Sequence, residues 1–424
     1  MSGCQRMTRR RFLHGIGVVG TGALFPQLVR PEVFGKPGQP GANELVIIGS
    51  IATGNRARNL MDHMPPGGRI VAISDVYVQR MHEAKEGRNP DWRMYQDYRE
   101  MLDKEKLDAV VVATPDHARV RVCIHACQAG LDVYAEKPLT LTIAEGRKLV
   151  EAARRYNRVF QVGSQQRTME MNRFACEFVR NGGLGKLRLV HGFNYPPPRR
   201  YQGLPEEPIP EGDNWDAWQA QAPERPYNGQ LQFGWMQWRS YSGGEMTNWG
   251  AHGVDQIQWA LGMDGSGPEE LWLLEDGPSG AVGMRYPNGV EVRFDLGQGP
   301  LGGAIFVGAD NQIVIDRNMF ETDPPDLVSN PPSPAVAEEW EGPGWVARPH
   351  LQNWLDCIHT RAVPNADVEI GHRSISVCHL ANIVRELGRR LRWDPVRERF
   401  IDDPEADLLL DRPKRKGYET PEIG

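Results

Sequence analysis

No pair of cysteines in this 424-residue chain has Cys-x-x-Cys spacing, and no group of His and Cys has the spacing of zinc ligands. A structural metal is therefore not expected. The six cysteines are Cys4, Cys123, Cys127, Cys176, Cys357 and Cys378. They read as buried thiols rather than a disulfide framework, with Cys123 and Cys127 one helical turn apart. An excess of positive charge is also missing. Lys and Arg number 49 against 55 Asp and Glu, for a net charge of -6. That excludes a general nucleic-acid binder, which needs a basic face. Beyond the first forty residues no run is apolar enough to cross a membrane, and no internal repeat occurs. What remains is globular: 40% hydrophobic and 25% charged residues, enough for a core without staples. The 33 prolines and 46 glycines point to long, shaped loops, and 12 tryptophans offer flat rings for cores or for the apolar face of a sugar.

The start of the chain reads as an address. Thr8-Arg9-Arg10-Arg11-Phe12-Leu13-His14 is followed by a short apolar run from Gly15 to Phe25. This is the basic and apolar order of a signal peptide, and it resembles the bacterial twin-arginine signal. Residues 1–41, with a Pro/Gly-rich stretch from Pro31 to Gly41, are expected to be signal and linker. The expected location is the periplasm or another exported compartment. No integral anchor is expected after the signal is removed.

The next segment has the rhythm of a parallel sheet. Leu45-Val46-Ile47-Ile48-Gly49 reads as a buried strand, Gly49-Ser50-Ile51-Ala52-Thr53-Gly54 as a glycine turn, and the stretch through Asn59-Leu60-Met61 as a helix. Strand, turn and helix offer free N–H groups to a pyrophosphate. Ile51 departs from the fingerprint, which has a second glycine there. Arg69 to Asp75 reads as the next strand, and Asp75, 26 positions after Gly49, stands where a ribose-binding carboxylate belongs. It favours NAD, with NADP the alternative; its bland reading is a loop cap. Leu107 to Pro115 and Leu131 to Ala135 are further strands, joined by a helix over residues 118–130. Residues 42–166 are thus expected to form an α/β doubly wound parallel sheet, a Rossmann domain.

Four segments resemble a known family. They are Ala113-Thr114-Pro115-Asp116-His117, Glu136-Lys137-Pro138, Val162-Gly163-Ser164-Gln165-Gln166-Arg167, and the run from Gly243 through Glu245, Asn248, Trp249 and His252 to Asp255. Together they resemble the glucose–fructose oxidoreductase/inositol dehydrogenase (Gfo/Idh/MocA) family over nearly the whole chain beyond the signal. The resemblance implies a nicotinamide-dependent oxidoreductase moving a hydride between NAD(P) and a ring hydroxyl or keto carbon of a sugar, glycoside or cyclitol. It also implies a tightly bound cofactor and a homo-oligomer, dimer or tetramer. Lys137 and His252 are the implied catalytic pair. Lys137 ends a parallel strand, where ligands of open α/β sheets bind; its bland reading is a salt bridge with Glu136. Gly49, Ser50, Ile51, Gly54, Asp75, Thr114, Pro115, His117, Glu136, Lys137 and Gln165 are the candidate cofactor contacts. Arg167, Trp235, Trp238, Asn248 and Asp255 are the candidate substrate contacts. His252 and Asp255, three apart, share a helix face, so Asp255 is expected to bind sugar hydroxyls or orient the imidazole. Where the family usually has Asp, this chain has Asn248, which bonds a sugar but accepts no proton.

Residues 167–395 are expected to form a second α/β domain with a large open, mostly antiparallel sheet, and residues 396–424 a tail. Leu187 to Phe193 reads as a strand; Gly280–Tyr286, Val290–Leu296, Gly303–Gly308 and Gln312–Asp316 alternate and are separated by turns. Such a sheet offers a face to a partner subunit. The Trp- and Pro-rich stretch from Tyr195 to Tyr241 reads as a long ordered loop, with Trp215 and Trp218 as either packing or contact rings. His350 to His359 and His372 to Leu391 read as helices, and His350 is a further cleft candidate. Two other functions fit the same motifs: a glycosidase that uses bound NAD transiently, and a non-enzymatic cofactor-bearing sugar-binding protein.

Overall fold

The computed structural model describes residues 44–340 and 346–424. The expected signal and linker, residues 1–41, lie outside the described residues. Residues 45–424 form one compact unit.

Short runs of Val, Ile and Ala, apolar on both faces, build the first sheet. β1 (Val46–Ile51), β2 (Gly68–Ser74), β3 (Arg93–Tyr95), β4 (Ala109–Val112), β5 (Asp132–Ala135) and β6 (Phe160–Val162) pair in the order β3-β2-β1-β4-β5-β6. Every pairing is parallel. β4 and β5 are buried at every position, as strands covered by helices on both faces must be. The order reverses between β1 and β4, which is the switch point where such sheets bind ligands. The turn after β1 differs from the expectation. The strand does not stop at Gly49 but runs through Ile51, and the chain turns at Ala52, whose φ is 77°. Ile51 is thus the last strand residue, and the helix Asn55–Asp62 starts directly after Gly54.

The second sheet has nine strands in the order β13-β12-β11-β7-β10-β9-β8-β14-β15. Its strands are β7 (Leu189–Phe193), β8 (Glu270–Leu273), β9 (Val282–Arg285), β10 (Glu291–Leu296), β11 (Ala304–Val307), β12 (Gln312–Asp316), β13 (Met319–Asp323), β14 (Leu391–Asp394) and β15 (Arg399–Phe400). Only β7 and β10 run parallel. β7, β10, β11 and β12 alternate buried and partly exposed residues, so one face is packed and the other is open. The helices Gly250–Ala260 and Val368–Leu387 pack against each other and against the inner face. The long helix stops where Gly388 adopts φ 65°, short of the expected Leu391, which begins β14. Residues 396–424 are not a free tail. They supply β15 and a short helix, then cross the Rossmann helices, where Arg121, Gln128 and Arg155 donate to the carbonyls of Gly417, Glu422 and Gly424 at 2.6, 2.8 and 2.7 Å.

All five described cysteines, Cys123, Cys127, Cys176, Cys357 and Cys378, are free and buried, as expected.

Candidate active site

A cleft of about 780 Å³ opens over the C-terminal ends of β1, β2 and β4. Ile51, Gly54, Asp75, Thr114 and Pro115 line it, so five of the expected cofactor contacts come together. Gly54 caps the Asn55–Asp62 helix in extended conformation, and a Cβ there would meet nothing nearer than Arg80 at 3.9 Å. Gly54, Asn55 and Arg56 line the cleft, so the helix start borders it, where a pyrophosphate binds in such folds. The Asp75 carboxylate accepts from the Thr53 N–H and hydroxyl at 2.8 and 2.9 Å and from the Tyr77 N–H at 3.0 Å. It caps the turn and lines the cleft. Thr114 Oγ1 is buried without a partner on the cleft wall, an orphan that a dinucleotide hydroxyl or amide satisfies. These residues fit a nicotinamide dinucleotide.

Three expected contacts face elsewhere. A Cβ on Gly49 would stand 2.8 Å from both Leu107 and Met101, so this glycine serves close packing of the sheet. Ser50 is buried and donates to the Ala52 carbonyl at 3.4 Å. His117 is buried too. It donates to the Trp218 carbonyl at 2.7 Å, and the rings of Trp218 and Tyr241 lie 5.0 and 4.9 Å from it. Burial pushes its pKa down to about 4, so it is a neutral packing group. Trp215 and Trp218 stack at 4.8 Å inside a small core of their own, which holds the 195–241 loop down. Trp235, expected at the substrate, lines the cofactor cleft with Phe233, Met236 and Tyr418. Trp238 donates to the Gln230 carbonyl at 3.0 Å and borders a separate groove with Arg199 and Arg239.

Glu136 and Lys137 follow directly on β5, and Glu136 is tied to the cleft through Arg56, which lines it. Glu136 accepts from Arg56 Nε at 2.8 Å and from the Lys137 N–H at 3.1 Å. Arg56 also donates to Gln165 Oε1 at 2.6 Å. The expected contacts Glu136 and Gln165 are thus joined through an arginine that the sequence reading passed over. Its signal was its place, the second residue of the helix after the glycine turn. Gly163 is obligatory here, because a Cβ would stand 2.8 Å from the Glu136 carboxylate.

The Lys137 ammonium donates to Asn248 twice, to the carbonyl at 3.1 Å and to Oδ1 at 2.9 Å. Glu245 orients the Asn248 amide by accepting from Nδ2 at 3.0 Å. Burial lowers the Lys137 pKa to about 8; Glu136 and Asp116 oppose the shift, and Arg56 and Arg317 add to it. His252 is 6% exposed, on the helix Gly250–Ala260, its ring 5.8 Å from that of Trp249. Burial first, then Lys137, Arg317 and Arg56, push its pKa well below 6.5. The imidazole is therefore neutral at pH 7, one ring nitrogen a donor and the other an acceptor, and its surroundings disfavour the imidazolium. Arg317 was missed in the sequence; it lies in the hairpin between β12 and β13, far along the chain from either motif.

Asp255 does not orient His252. It binds Arg167 Nε at 3.0 and 2.9 Å and accepts from Ser374 Oγ at 2.7 Å, while Arg167 also reaches Asp264 at 2.7 Å. Both partners are at most 3% exposed, so Arg167 and Asp255 hold helices together rather than hold a sugar. His350 is spent as well, accepting from Thr168 Oγ1 at 2.7 Å and donating to the Val162 carbonyl at 2.8 Å.

Comparison with known proteins places this geometry. Residues 44–164 match an oxidoreductase family with an NAD-binding Rossmann fold, and residues 190–420 match the C-terminal alpha/beta domain of the same family. Among curated relatives, the rhizopine catabolism protein MocA of Rhizobium meliloti is 26% identical over 52% of this chain and 65% of its own length. A myo-inositol 2-dehydrogenase of Thermotoga maritima is 30% identical over 31% of this chain and 40% of its own length. The chain therefore spans between two fifths and two thirds of these relatives. In fold it is similar to the WlbA dehydrogenase of Bordetella pertussis in complex with NADH and UDP-GlcNAcA, with a TM-score of 0.61, 17% identity, and 84% of this chain and 99% of that one covered. A levoglucosan dehydrogenase in complex with NADH and levoglucosan gives a TM-score of 0.58 at 17% identity, covering 82% and 99%.

Proposed function

The chain belongs to the Gfo/Idh/MocA oxidoreductase family, and on that premise we propose that it is an NAD-dependent dehydrogenase that interconverts a ring hydroxyl and a ketone on a sugar, glycoside or cyclitol. The observation that carries this reading is the pairing of Lys137, directly after β5, with Asn248 near a neutral His252, and the bond from neighbouring Glu136 to Arg56, which lines the dinucleotide cleft. Relatives named for inositol and levoglucosan support a polyhydroxylated ring as substrate.

A bound nicotinamide supplies the acceptor for the hydrogen on the carbinol carbon. The protein supplies the proton chemistry. Oxidation of R₂CH–OH to R₂C=O releases one proton from the hydroxyl, and an alkoxide is too basic to form unaided. Lys137, with its pKa near 8, is a base when neutral and an electrostatic stabiliser when charged. His252, held neutral, relays the proton by accepting it at one ring nitrogen while releasing one from the other, with no imidazolium stored. Asn248 holds the lysine and offers its amide to a second hydroxyl without titrating. Arg56 and Gln165 fix Glu136, which keeps the lysine backbone in place.

Asp75 supports NAD over NADP, since its carboxylate repels a 2′-phosphate. Trp218, Phe233, Trp235, Met236 and Tyr418, on the far wall of the cleft, support a dinucleotide that leaves slowly. The open face of the second sheet supports a homo-oligomer, and Arg9-Arg10 with Phe12-Leu13 support export by the twin-arginine route.

The test is direct. Purified protein is denatured and the released dinucleotide identified by mass, and NAD-supplemented protein is screened with inositols, monosaccharides and glycosides for the absorbance of reduced nicotinamide. NAD in the released fraction, or reduction of NAD by at least one polyol, is the expected result. Absence of both overturns the proposal.

A further inference from the structure

A second cavity, of about 290 Å³, shares no lining residue with the dinucleotide cleft. Among the described residues, four arginines and one lysine line it and no acidic residue does. They come from two stretches far apart in the chain. Arg200, Arg225 and Arg239 belong to the long loop that ends at Tyr241, and Arg412 and Lys414 to the C-terminal segment. Contacts within the protein hold the five together. Arg412 donates to the Arg239 carbonyl. Arg225 donates to Ser240 Oγ at 3.0 Å, and its guanidinium lies 3.6 Å from the centre of the Tyr201 ring.

Each counter-charge within reach is accounted for. Glu386 is shared between Arg200 and Arg239, at 2.8 Å from each. Asp411 takes Lys414 at 2.6 Å. Glu145 attracts Lys414 and Arg412 only from beyond ion-pair distance, and burial raises its pKa. Arg225 and Arg412 make no ion pair among the described residues; their bonds go to a hydroxyl and a carbonyl. Burial and the nearness of Arg239 push Arg412 down to about 10, so it is still charged at pH 7. Nε and Nη1 of Arg225 are buried with no hydrogen-bond partner. Two orphan donors on one cation are what an ion in the cavity accounts for.

Like charges gathered in a half-buried cavity repel, and an anion among them removes that cost. We propose that this cavity is a second binding site, separate from the dinucleotide cleft, and that it takes a doubly charged tetrahedral oxyanion: a phosphate or sulfate group, free or esterified to a sugar. Guanidinium groups bind such oxygens in pairs of parallel bonds, and two arginines without an ion pair match a dianion rather than a monoanion. The cavity adjoins the groove of about 1070 Å³ bordered by Trp238, with which it shares Leu141, Arg200, Arg239 and Arg412. Pro198 and Trp238 wall that groove further along, which leaves room for the sugar of an ester. The site stands independently of the dehydrogenase reading, since none of its residues takes part in the Lys137 chemistry.

The experiment uses the full chain with NAD in excess, so that the dinucleotide cleft offers no competing phosphate site. It is run at low ionic strength and about pH 7.5, where a phosphate monoester is doubly charged. Calorimetry measures binding of inorganic sulfate, inorganic phosphate, glucose 6-sulfate and glucose 6-phosphate, with acetate and glucose as the singly charged and neutral controls. At least one dianion is expected to bind saturably, about tenfold or more tighter than acetate. A sugar ester that binds tighter than its inorganic anion identifies an ester as the ligand, and equal binding identifies the free anion. Arg225→Gln and Arg412→Gln should each weaken that dianion by about tenfold, the loss of one charge-assisted bond, with NAD affinity unchanged, and Arg412→Lys should keep part of the binding. If no dianion binds better than acetate in the wild type, the proposal is overturned, and this comparison decides even if the variants fail to fold. Undiminished dianion binding in the folded double variant Arg225→Gln/Arg412→Gln overturns the assignment to this cavity.

Discussion

Lys137 owes its chemistry to what surrounds it, and that gives a sign to its pH dependence. Its pKa is lowered from 10.5 to about 8, by burial first. As a proton acceptor it must be neutral, so kcat/KM should rise with pH through about 8 and then level. The neutral Oδ1 of Asn248 stands 2.9 Å from its ammonium. Asn248→Asp would put a full negative charge there, favour the charged lysine, and move the rising limb about 1–3 pH units upward. A limb that stays in place in Asn248→Asp would show that Lys137 does not control it. Lys137, His252 and Asn248 were legible because they sit in compact motifs at element ends. Arg56 and Arg317 were not, since a long flexible cation declares its partner only in the folded chain. Arg167 and Asp255 misled for a related reason: spacing of three on a helix predicts a shared face, but not that a buried arginine 88 positions away consumes the carboxylate.

At the scale of elements, the halves of the molecule are clamped by a charge network rather than by apolar contact alone. Arg147, on the helix Ile143–Arg155, reaches Glu369 at 2.8 Å and Glu398 at 2.7 Å. Glu398 also accepts from His372 at 2.7 Å and pairs with Arg373 at 3.0 Å, and Arg373 meets Glu369 at 2.7 Å. Burial outweighs the carboxylate and keeps His372 neutral. Arginine bonds hold Glu369 down to about 2 and Glu398 lower still, against burial. For a depressed carboxylate the stabilisation is complete above its unfolded value near 4.5 and is lost as pH falls toward the folded value. Glu398→Gln should therefore cost about 1–3 kcal/mol at pH 7, the usual range for a charged hydrogen-bond partner. That deficit should shrink below pH 4.5. Denaturant unfolding across pH 3–8 checks it, and a deficit independent of pH would refute the network's role. Sequence patterning located the elements that carry this network, because apolar period and glycine stops are local. It missed β3, β6, β8, β13, β14 and β15, each two to five residues long, whose pairing is supplied by neighbours.

For the whole molecule, the Rossmann sheet and the open second sheet were legible from the alternation of buried runs and helices. The path of the last residues was not, since no local pattern announces a segment that crosses the Rossmann helices and brings Tyr418 to the cofactor cleft. Export is tested by replacing Arg9 and Arg10 with Lys, which should leave the protein in the cytoplasm; normal export of that variant would remove the twin-arginine reading. The central claim is that the Lys137–His252 site oxidises a carbinol beside the dinucleotide. Its most direct measurement is the rate of NAD reduction by wild type, Lys137→Met and His252→Ala on one verified substrate, with dinucleotide affinity and thermal unfolding recorded for each. A general acid–base group contributes about a hundred- to ten-thousand-fold. Both variants are expected to lose turnover on that scale while still folding and binding NAD. Full turnover in folded, NAD-binding Lys137→Met would contradict the account.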